Sequence, residues 1–479
     1  MKEIIYKFKK KIFIYNSLKK KKELFIPIIK NNINMYICGP TLYKNIHLGN
    51  CRTFIFFDIL YRYFKHLKFN IKYIRNLTDI NNIKNKINYK YYYYIHNIKK
   101  NYFKYNKILK IFNLLPPNLE PKTTNFMIEQ INNINKIIKL KFAYIKNGSI
   151  YFDIIKYNKK NYNYGKILNN IDIYNNKKNN TYYKEKKNYF DFVLWKNITD
   201  KKLISWKSIW GYGIPGWHIG CTTMSNKILG NFFDIHGGGI DLKFPHHECE
   251  IIQSNIINNN NNNLAKYWIH TNVLTINNKK MSKSLNNLIF PYDLIKGKFK
   301  ITKFKKINPL IIKLYLLNTH YRKNINFSYN NLKKIIKNYF NLLNCFNKIK
   351  KIKTKNYTST YINIKNLYIK CYNSINNDFN IPLLIYNLIK INNIIDKCYK
   401  NKLQINNYDL KNINKLMNYF LIDILGFKKI KIKKNKNIKL INNILKIRNK
   451  LRKNKLFLYS DYIRKIMLNY IDIKDKKNY

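Results

Sequence analysis

The chain has 479 residues, more than a single core of ordinary size accommodates, so roughly three units of ~100 to 200 residues are expected. Hydrophobic residues at 46 % exclude a disordered polymer, and seven irregularly spaced cysteines exclude a disulfide framework. A formal charge of +69, from 92 Lys plus Arg against 23 Asp plus Glu, favours polyanionic partners, although the excess of Lys, Asn, Ile and Tyr beside only Ala143 and Ala265 also fits an AT-rich genome.

Read in chain order, Met35 to Cys38 is a short apolar run ending in Gly39-Pro40, and His47-Leu48-Gly49-Asn50 leads into a periodic apolar segment from Phe54 to Phe64. With the strand-like run Ile71 to Ile74, this spells a βαβ unit of a doubly wound sheet, whose ligands bind beyond the strand C-termini. From 123 to 200 the text turns to Asn, Lys and Tyr with short strand-like pieces such as Ser149 to Asp153, which reads as an inserted subdomain. Glycine-rich text from Gly211 to Gly239 and the run Tyr267 to His270 resume the sheet. Asn258 to Asn263 reads as a solvated loop. After Phe327, Ile and Leu recur at helical spacing, which predicts a helical bundle. No window approaches the ~18 apolar residues of a membrane span, so a cytoplasmic protein with no membrane contact is expected.

Two motifs carry nucleotide chemistry. His47-Leu48-Gly49-Asn50 resembles the first signature of class I aminoacyl-tRNA synthetases, and Lys280-Met281-Ser282-Lys283-Ser284 resembles the second. Adenylation passes through a pentavalent α-phosphate, which fixed cations such as Lys280 and Lys283 stabilise, while His47 and Gly49 let phosphate approach a helix N-terminus. The segments Tyr36 to Thr41, Gly216 to Cys221, Phe233 to Gly239 and Phe244 to Glu250 resemble the cysteinyl-tRNA synthetase family. So do Arg75 to Asp79, Asp191 to Lys196, His320 to Arg322 and Asp378 to Pro382, so the resemblance runs nearly the whole length.

That resemblance implies an α/β fold: a class I Rossmann-like catalytic domain in two halves (1–122 and 201–270), a connective insertion (123–200), a region carrying the lysine motif and contacting the tRNA stem (271–326), and an α-helical anticodon-binding bundle (327–479). It implies a monomeric ligase that joins L-cysteine to tRNA(Cys) with ATP and Mg²⁺. It matches Cys38, Cys221, His246 and Glu250 to ligands of one Zn²⁺, a set whose two thiolates, imidazole and carboxylate suit a borderline ion. The family's zinc takes the substrate thiolate, which a serine hydroxyl matches poorly. Gly39, Thr78 and Trp217 match the amino-acid pocket, with Trp217 as plain core the competing reading. Gly237 and Gly238 would admit adenosine. Arg448, Arg452 and Arg464 would face the anticodon. Cys51 and Cys249 are left out of the metal set, because neighbours on a helix diverge by about 100°.

Four residues depart from the family's pattern. Asn50 replaces the usual second histidine of the first signature, Gly220 stands where many members carry Glu, and Asn81-Asn82 stand where acidic residues are common. Rival readings are the related ligase that joins cysteine to an amino-sugar inositol, which normally lacks the long helical region, and an RNA-binding protein without turnover, which intact Lys280, Lys283 and metal ligands argue against.

Overall fold

The computed structural model describes residues 8, 11–80, 91–160, 163–168, 185–200, 203–276, 278–281, 285, 287–298, 306–354, 362–429, 436–454 and 456–467. The chain divides into two compact units, Met1–Lys428 and Lys429–Tyr479.

The larger unit starts with a hairpin of β1 (Phe13–Asn16) and β2 (Lys21–Leu24), which the sequence reading did not foresee. The expected βαβ unit follows as β3 (Asn32–Ile37), α1 (Leu48–His66) and β4 (Asn70–Arg75). Helix α1 starts six residues before the periodic stretch that announced it, because its first turn is the signature loop itself. It is buried along nearly its whole length, a central helix and not a surface one. After α2 (Tyr91–Ile111) and α3 (Met127–Lys139), strands β5 (Ala143–Lys146), β6 (Ser149–Phe152), β7 (Phe192–Asn197), β8 (Trp206–Ser208) and β9 (Gly211–Pro215) pair antiparallel in the order β5-β6-β7-β9-β8. Asp191 pins this layer by accepting from Ile154 N (3.0 Å), Asn188 N (3.0 Å) and the Tyr144 hydroxyl (2.8 Å).

Helix α4 (Trp217–Leu229), β10 (Phe233–Gly239), α5 (Glu248–Ile257) and β11 (Ala265–Thr271) complete a four-stranded parallel sheet in the order β11-β10-β3-β4. The chain leaves β3 toward one edge and later returns to β10 on its other side, so the order reverses between these two strands. A crevice opens at their C-terminal ends, the place where such sheets bind ligands. A three-stranded sheet of β12 (Leu274–Ile276), β13 (Lys279–Lys280) and β14 (Ile325–Phe327) lies next in sequence, with α6 (Pro309–Leu317) between β13 and β14.

The helices α7 (Tyr329–Ile349), α8 (Ile364–Asn376), α9 (Ile381–Tyr399) and α10 (Asn407–Met417) belong to the same unit. The asparagines that composition supplies in excess serve here as N-caps: Asn308, Asn363, Asn380 and Asn406 each accept a backbone N–H of the first turn. His320 to Arg322 and Asp378 to Pro382, far apart in sequence, meet. The buried Asp378 accepts from the Tyr321 hydroxyl (2.5 Å), Arg322 Nε (2.7 Å) and Tyr15 N (2.9 Å). In the Asn run Asn259, Asn261 and Asn262 are exposed, while Asn258, Asn260 and Asn263 are half-buried and Asn263 holds Lys166 Nζ at 2.9 Å.

In the smaller unit α11 (Lys436–Lys453) packs on α12 (Phe457–Met467). Arg448, expected to face a polyanion, is 4 % exposed there. Among the described residues no helix is long and apolar enough to cross a membrane.

Candidate active site

The crevice between β3 and β10 is built by backbone contacts that only glycine permits. Cys38 N extends the ladder by donating to Gly237 O (3.0 Å), and Gly39 N donates to the Asn76 side chain (2.9 Å). A Cβ on Gly39 would sit 1.8 Å from Asn76 O, so the turn into the signature loop closes only with glycine at this position.

At the deep end of the crevice four buried side chains converge: Cys38 just after β3, Cys221 from the second turn of α4, His246 from the kinked segment entering α5, and Glu250 from the first turn of α5. Their ligating atoms all lie within 4.8 Å of one another. Cys38 Sγ is 3.9 Å from Cys221 Sγ and 3.7 Å from Glu250 Oε1, and His246 Nε2 is 3.0 Å from the same oxygen. A tetrahedral ion with bonds of about 2.0 to 2.3 Å needs ligand separations of roughly 3.3 to 3.8 Å, so the donor set fits a metal in both spacing and chemistry. Cys249 points away into the apolar cluster of Ile219 and Ile252, and Cys51 is buried in α1.

The surroundings hold these four in place. His246 Nδ1 meets His218 Nδ1 at 2.8 Å, leaving Nε2 for the cluster, and Glu250 Oε2 accepts from His236 Nε2 at 2.8 Å. Behind Cys38, His247 Nε2 lies 3.4 Å from the sulfur and its Nδ1 2.8 Å from His270, which meets the Ser17 hydroxyl at 2.8 Å. Cys38 and Glu250 also form a second compact set with His236 and His247. That set has one thiol where the first has two, and His247 is already engaged by His270, so a thiophilic ion is better served by the first. Sequence reasoning assigned no role to His218, His236, His247 or His270. The doublet His246-His247 and the histidine preceding the glycine run were the available signals.

The electrostatics follow from the packing. Burial opposes charge on His246, but Glu250 and Cys221 overcome it and raise it to about 10. Burial likewise disfavours the Glu250 carboxylate, yet His236 and His246 bring it down to about 2. The Cys38 contact brings Cys221 to about 6, whereas burial and Cys221 hold the Cys38 thiol well above its ordinary range. Burial and neighbouring histidines keep His247 well below the ordinary imidazole range, and burial and His246 bring His218 to about 3. Both remain neutral hydrogen-bonding groups at physiological pH.

Toward solvent the crevice widens into a cleft of ≈ 680 Å³ lined by Cys38, Gly39, His47, Gly49, Asn50 and Trp217 among others. Trp217 is 43 % exposed and its ring lies 4.6 Å from that of His246, which excludes the plain-core reading. Thr78 faces a neighbouring pocket of ≈ 110 Å³ that Trp217 also lines. Of the glycine run, Gly239 borders the cleft, while a Cβ on Gly237 would strike Phe57 at 2.3 Å and one on Gly238 would meet Leu242 at 2.8 Å. Asn50 spends its amide oxygen on His47 N (3.0 Å), closing the first turn of α1. Burial lowers the His47 pKa. Met281 reaches the cleft from the lysine motif. Lys283, Ser282 and Ser284, like Asn81 and Asn82, lie outside the described residues, as does the Lys280 side chain. A Cβ on Gly220 would lie 2.9 Å from Thr123 Cγ2, so a larger residue there requires Thr123 to move.

Residues 24–337 match the model of the class I (C) tRNA synthetase catalytic domain. The chain is 37 % identical to the cysteine–tRNA ligase of Azobacteroides pseudotrichonymphae, covering 98 % of each chain. It is also 37 % identical to that of Bacteroides thetaiotaomicron over 97 % of each, and to that of Wigglesworthia glossinidia brevipalpis over 96 % of each. The methionyl-tRNA synthetase of Mycobacterium tuberculosis bound by methionyl-adenylate shares the fold, with a TM-score of 0.55 at 10 % identity, over 82 % of this chain and 90 % of that one. With the catalytic-domain match over residues 24–337 and 37 % identity carried end to end, this chain belongs to the cysteine–tRNA ligase family of class I tRNA synthetases.

Proposed function

We propose that this ligase activates L-cysteine with ATP and Mg²⁺ to cysteinyl-adenylate, then transfers it to tRNA(Cys). The observation that carries the reading is the buried quartet Cys38, Cys221, His246 and Glu250 opening, through Cys38, onto the same cleft as His47, Gly49 and Asn50. A Zn²⁺ ion held by those four residues supplies a thiophilic Lewis-acid position that favours the thiolate of cysteine over the hydroxyl of serine.

Trp217 and Gly39 wall the substrate, with Thr78 in the adjoining pocket. The substrate carboxylate attacks the α-phosphate and pyrophosphate leaves. His47 and the N-terminus of α1, which has no acidic residue in its first turn, meet the phosphates. Lys280 and Lys283 neutralise charge developing in the pentavalent transition state. Asn50 keeps the first turn of α1 in shape, and the glycine run Gly237 to Gly239 meets the adenosine through Gly239, its member at the cleft. The terminal ribose 2′-hydroxyl of the tRNA then attacks the adenylate carbonyl and AMP leaves. Residues 327–479, with their basic helices, carry the anticodon end through phosphate contacts and base readout. The enzyme acts as a monomer in the cytoplasm, and the seven free cysteines support a reducing compartment.

The test is cysteine-dependent ATP/pyrophosphate exchange, with serine as control and zinc quantified on the same sample. Exchange with cysteine alone and about one zinc per chain is expected. A folded, zinc-loaded sample that shows no exchange even with its tRNA present would leave an RNA-binding protein without turnover.

A further inference from the structure

Tyr36 is fully buried, yet its hydroxyl has no hydrogen-bond partner of ordinary geometry. Such an orphan needs a reason, since phenylalanine would fill the same volume without burying an unsatisfied donor. Its position supplies one. Tyr36 and Cys38 are two residues apart on an extended segment, so their side chains leave the same face of the sheet. The parallel register sets Tyr36 beside His236, and their rings lie 5.3 Å apart. Tyr36, Cys38 and Cys221 pack in one buried cluster with Trp268. Burial bears most on the phenol, followed by the charges of Cys221, Cys38 and Glu250, three of the four residues assigned above to the metal, and Cys221 is also the side chain that its hydroxyl approaches.

We infer that Tyr36 is a positioning residue for the metal centre, its hydroxyl donating to the Cys221 thiolate once that sulfur is a ligand. This rests on the metal reading given above. In the metal-free chain the hydroxyl approaches Cys221 without reaching ordinary hydrogen-bond geometry. When Cys221 is held as thiolate, the O–H⋯S⁻ bond stabilises the anion, withdraws electron density from the sulfur, and leaves the ion more able to take one further thiolate. Partners of this outer kind typically change metal affinity by about 10- to 100-fold.

The experiment compares wild type with Tyr36→Phe in the full-length chain, first metal-stripped, then loaded with Zn²⁺, and with Co²⁺ as a visible probe. The expected result has three parts. Metal-free Tyr36→Phe melts at or above the wild-type temperature, because an unsatisfied donor is gone. Its Zn²⁺ affinity, measured against a chelator, falls by about tenfold. Its sulfur-to-Co²⁺ charge-transfer band moves to lower energy, with KM for cysteine raised more than kcat is lowered. Tyr36→His, which returns a ring N–H to this face, recovers part of the band shift. An unchanged band and unchanged affinity in Tyr36→Phe would overturn the inference and assign the hydroxyl elsewhere, for instance to the unpartnered His236 Nδ1. Failure of Tyr36→Phe to fold would overturn it as well, by making the hydroxyl a structural group. A wild-type chain that binds neither metal would sink the metal reading itself, a result distinct from either of these.

Discussion

The two ends of the crevice solve opposite problems. At the proposed metal end every participating side chain is buried, and three of the four candidate ligands are oriented by a second residue: His218 on His246, His236 on Glu250, His247 on Cys38. At the nucleotide end the cleft is open, its lining is largely loop, and the expected cations come from one lysine-rich motif. Discriminating a thiol from a hydroxyl requires ligands placed before the substrate arrives, since desolvated groups cannot rearrange cheaply. Binding a triphosphate requires positive charge near water, where long-range attraction speeds arrival.

This contrast can be broken at either end. The largest effect is expected from Cys221→Ala or His246→Ala: bound metal should fall from about one per chain to none, and cysteine-dependent exchange should drop by more than about 100-fold, beyond the range typical of outer partners. Metal analysis and exchange on the same folded sample check it, and an active metal-free variant would refute the pre-organised reading. Next comes His236→Ala, which removes the Glu250 Oε2 partner while leaving all four ligands. A chelator titration should show metal affinity lower by about 10- to 100-fold.

A smaller effect lies in the pH dependence of the metal-stripped protein. The folded value for His246, about 10, lies above its ordinary 6.5. Its contribution to stability is therefore complete below pH 6.5 and is lost as pH rises through about 10. The Glu250 value, about 2, lies below its ordinary 4.5, so its contribution is complete above pH 4.5 and lost as pH falls through about 2. The melting advantage of wild type over His246→Gln should therefore be greatest between pH 4.5 and 6.5 and shrink toward pH 10. A difference independent of pH would show that His246 is uncharged in the stripped protein.

The smallest effect is at the nucleotide end. Asn50→His adds a group able to carry charge near the phosphates and removes the amide oxygen that accepts from His47 N. Adenylation should rise, by less than about tenfold, within the range of one added donor. An unchanged or slower rate in single-turnover assays would show that closing the first turn of α1 outweighs charge at this position.

Much of this organisation was legible from local pattern. Short apolar runs announced β3 and β4, and helical spacing announced α1 and the helices after Phe327, because buried elements write their length and period into the chain. The quartet was legible only as matched motifs, since Cys38 and Cys221 stand 183 positions apart and nothing local shows that two thiols face each other. The β1–β2 hairpin and α2 escaped notice because Lys, Asn and Tyr dominate them and blur the apolar period. Arg448 looked like a polyanion contact and proved buried, because a charged residue carries no local mark of the face it will occupy.

By itself the sequence determined the fold class and the family's signatures, which depend on residue type and spacing along the chain, and it pointed to the four donor residues only through the family resemblance. Tertiary structure alone decided that Trp217 faces the cleft, that Cys249 turns away, that histidines from α4, β10, the kinked approach to α5, and β11 converge behind the ligands, and that the Tyr36 hydroxyl is left without a partner among them. The reason is physical: these properties depend on which strands become neighbours at the reversal of a parallel sheet, and that adjacency is set by the packing of the whole core.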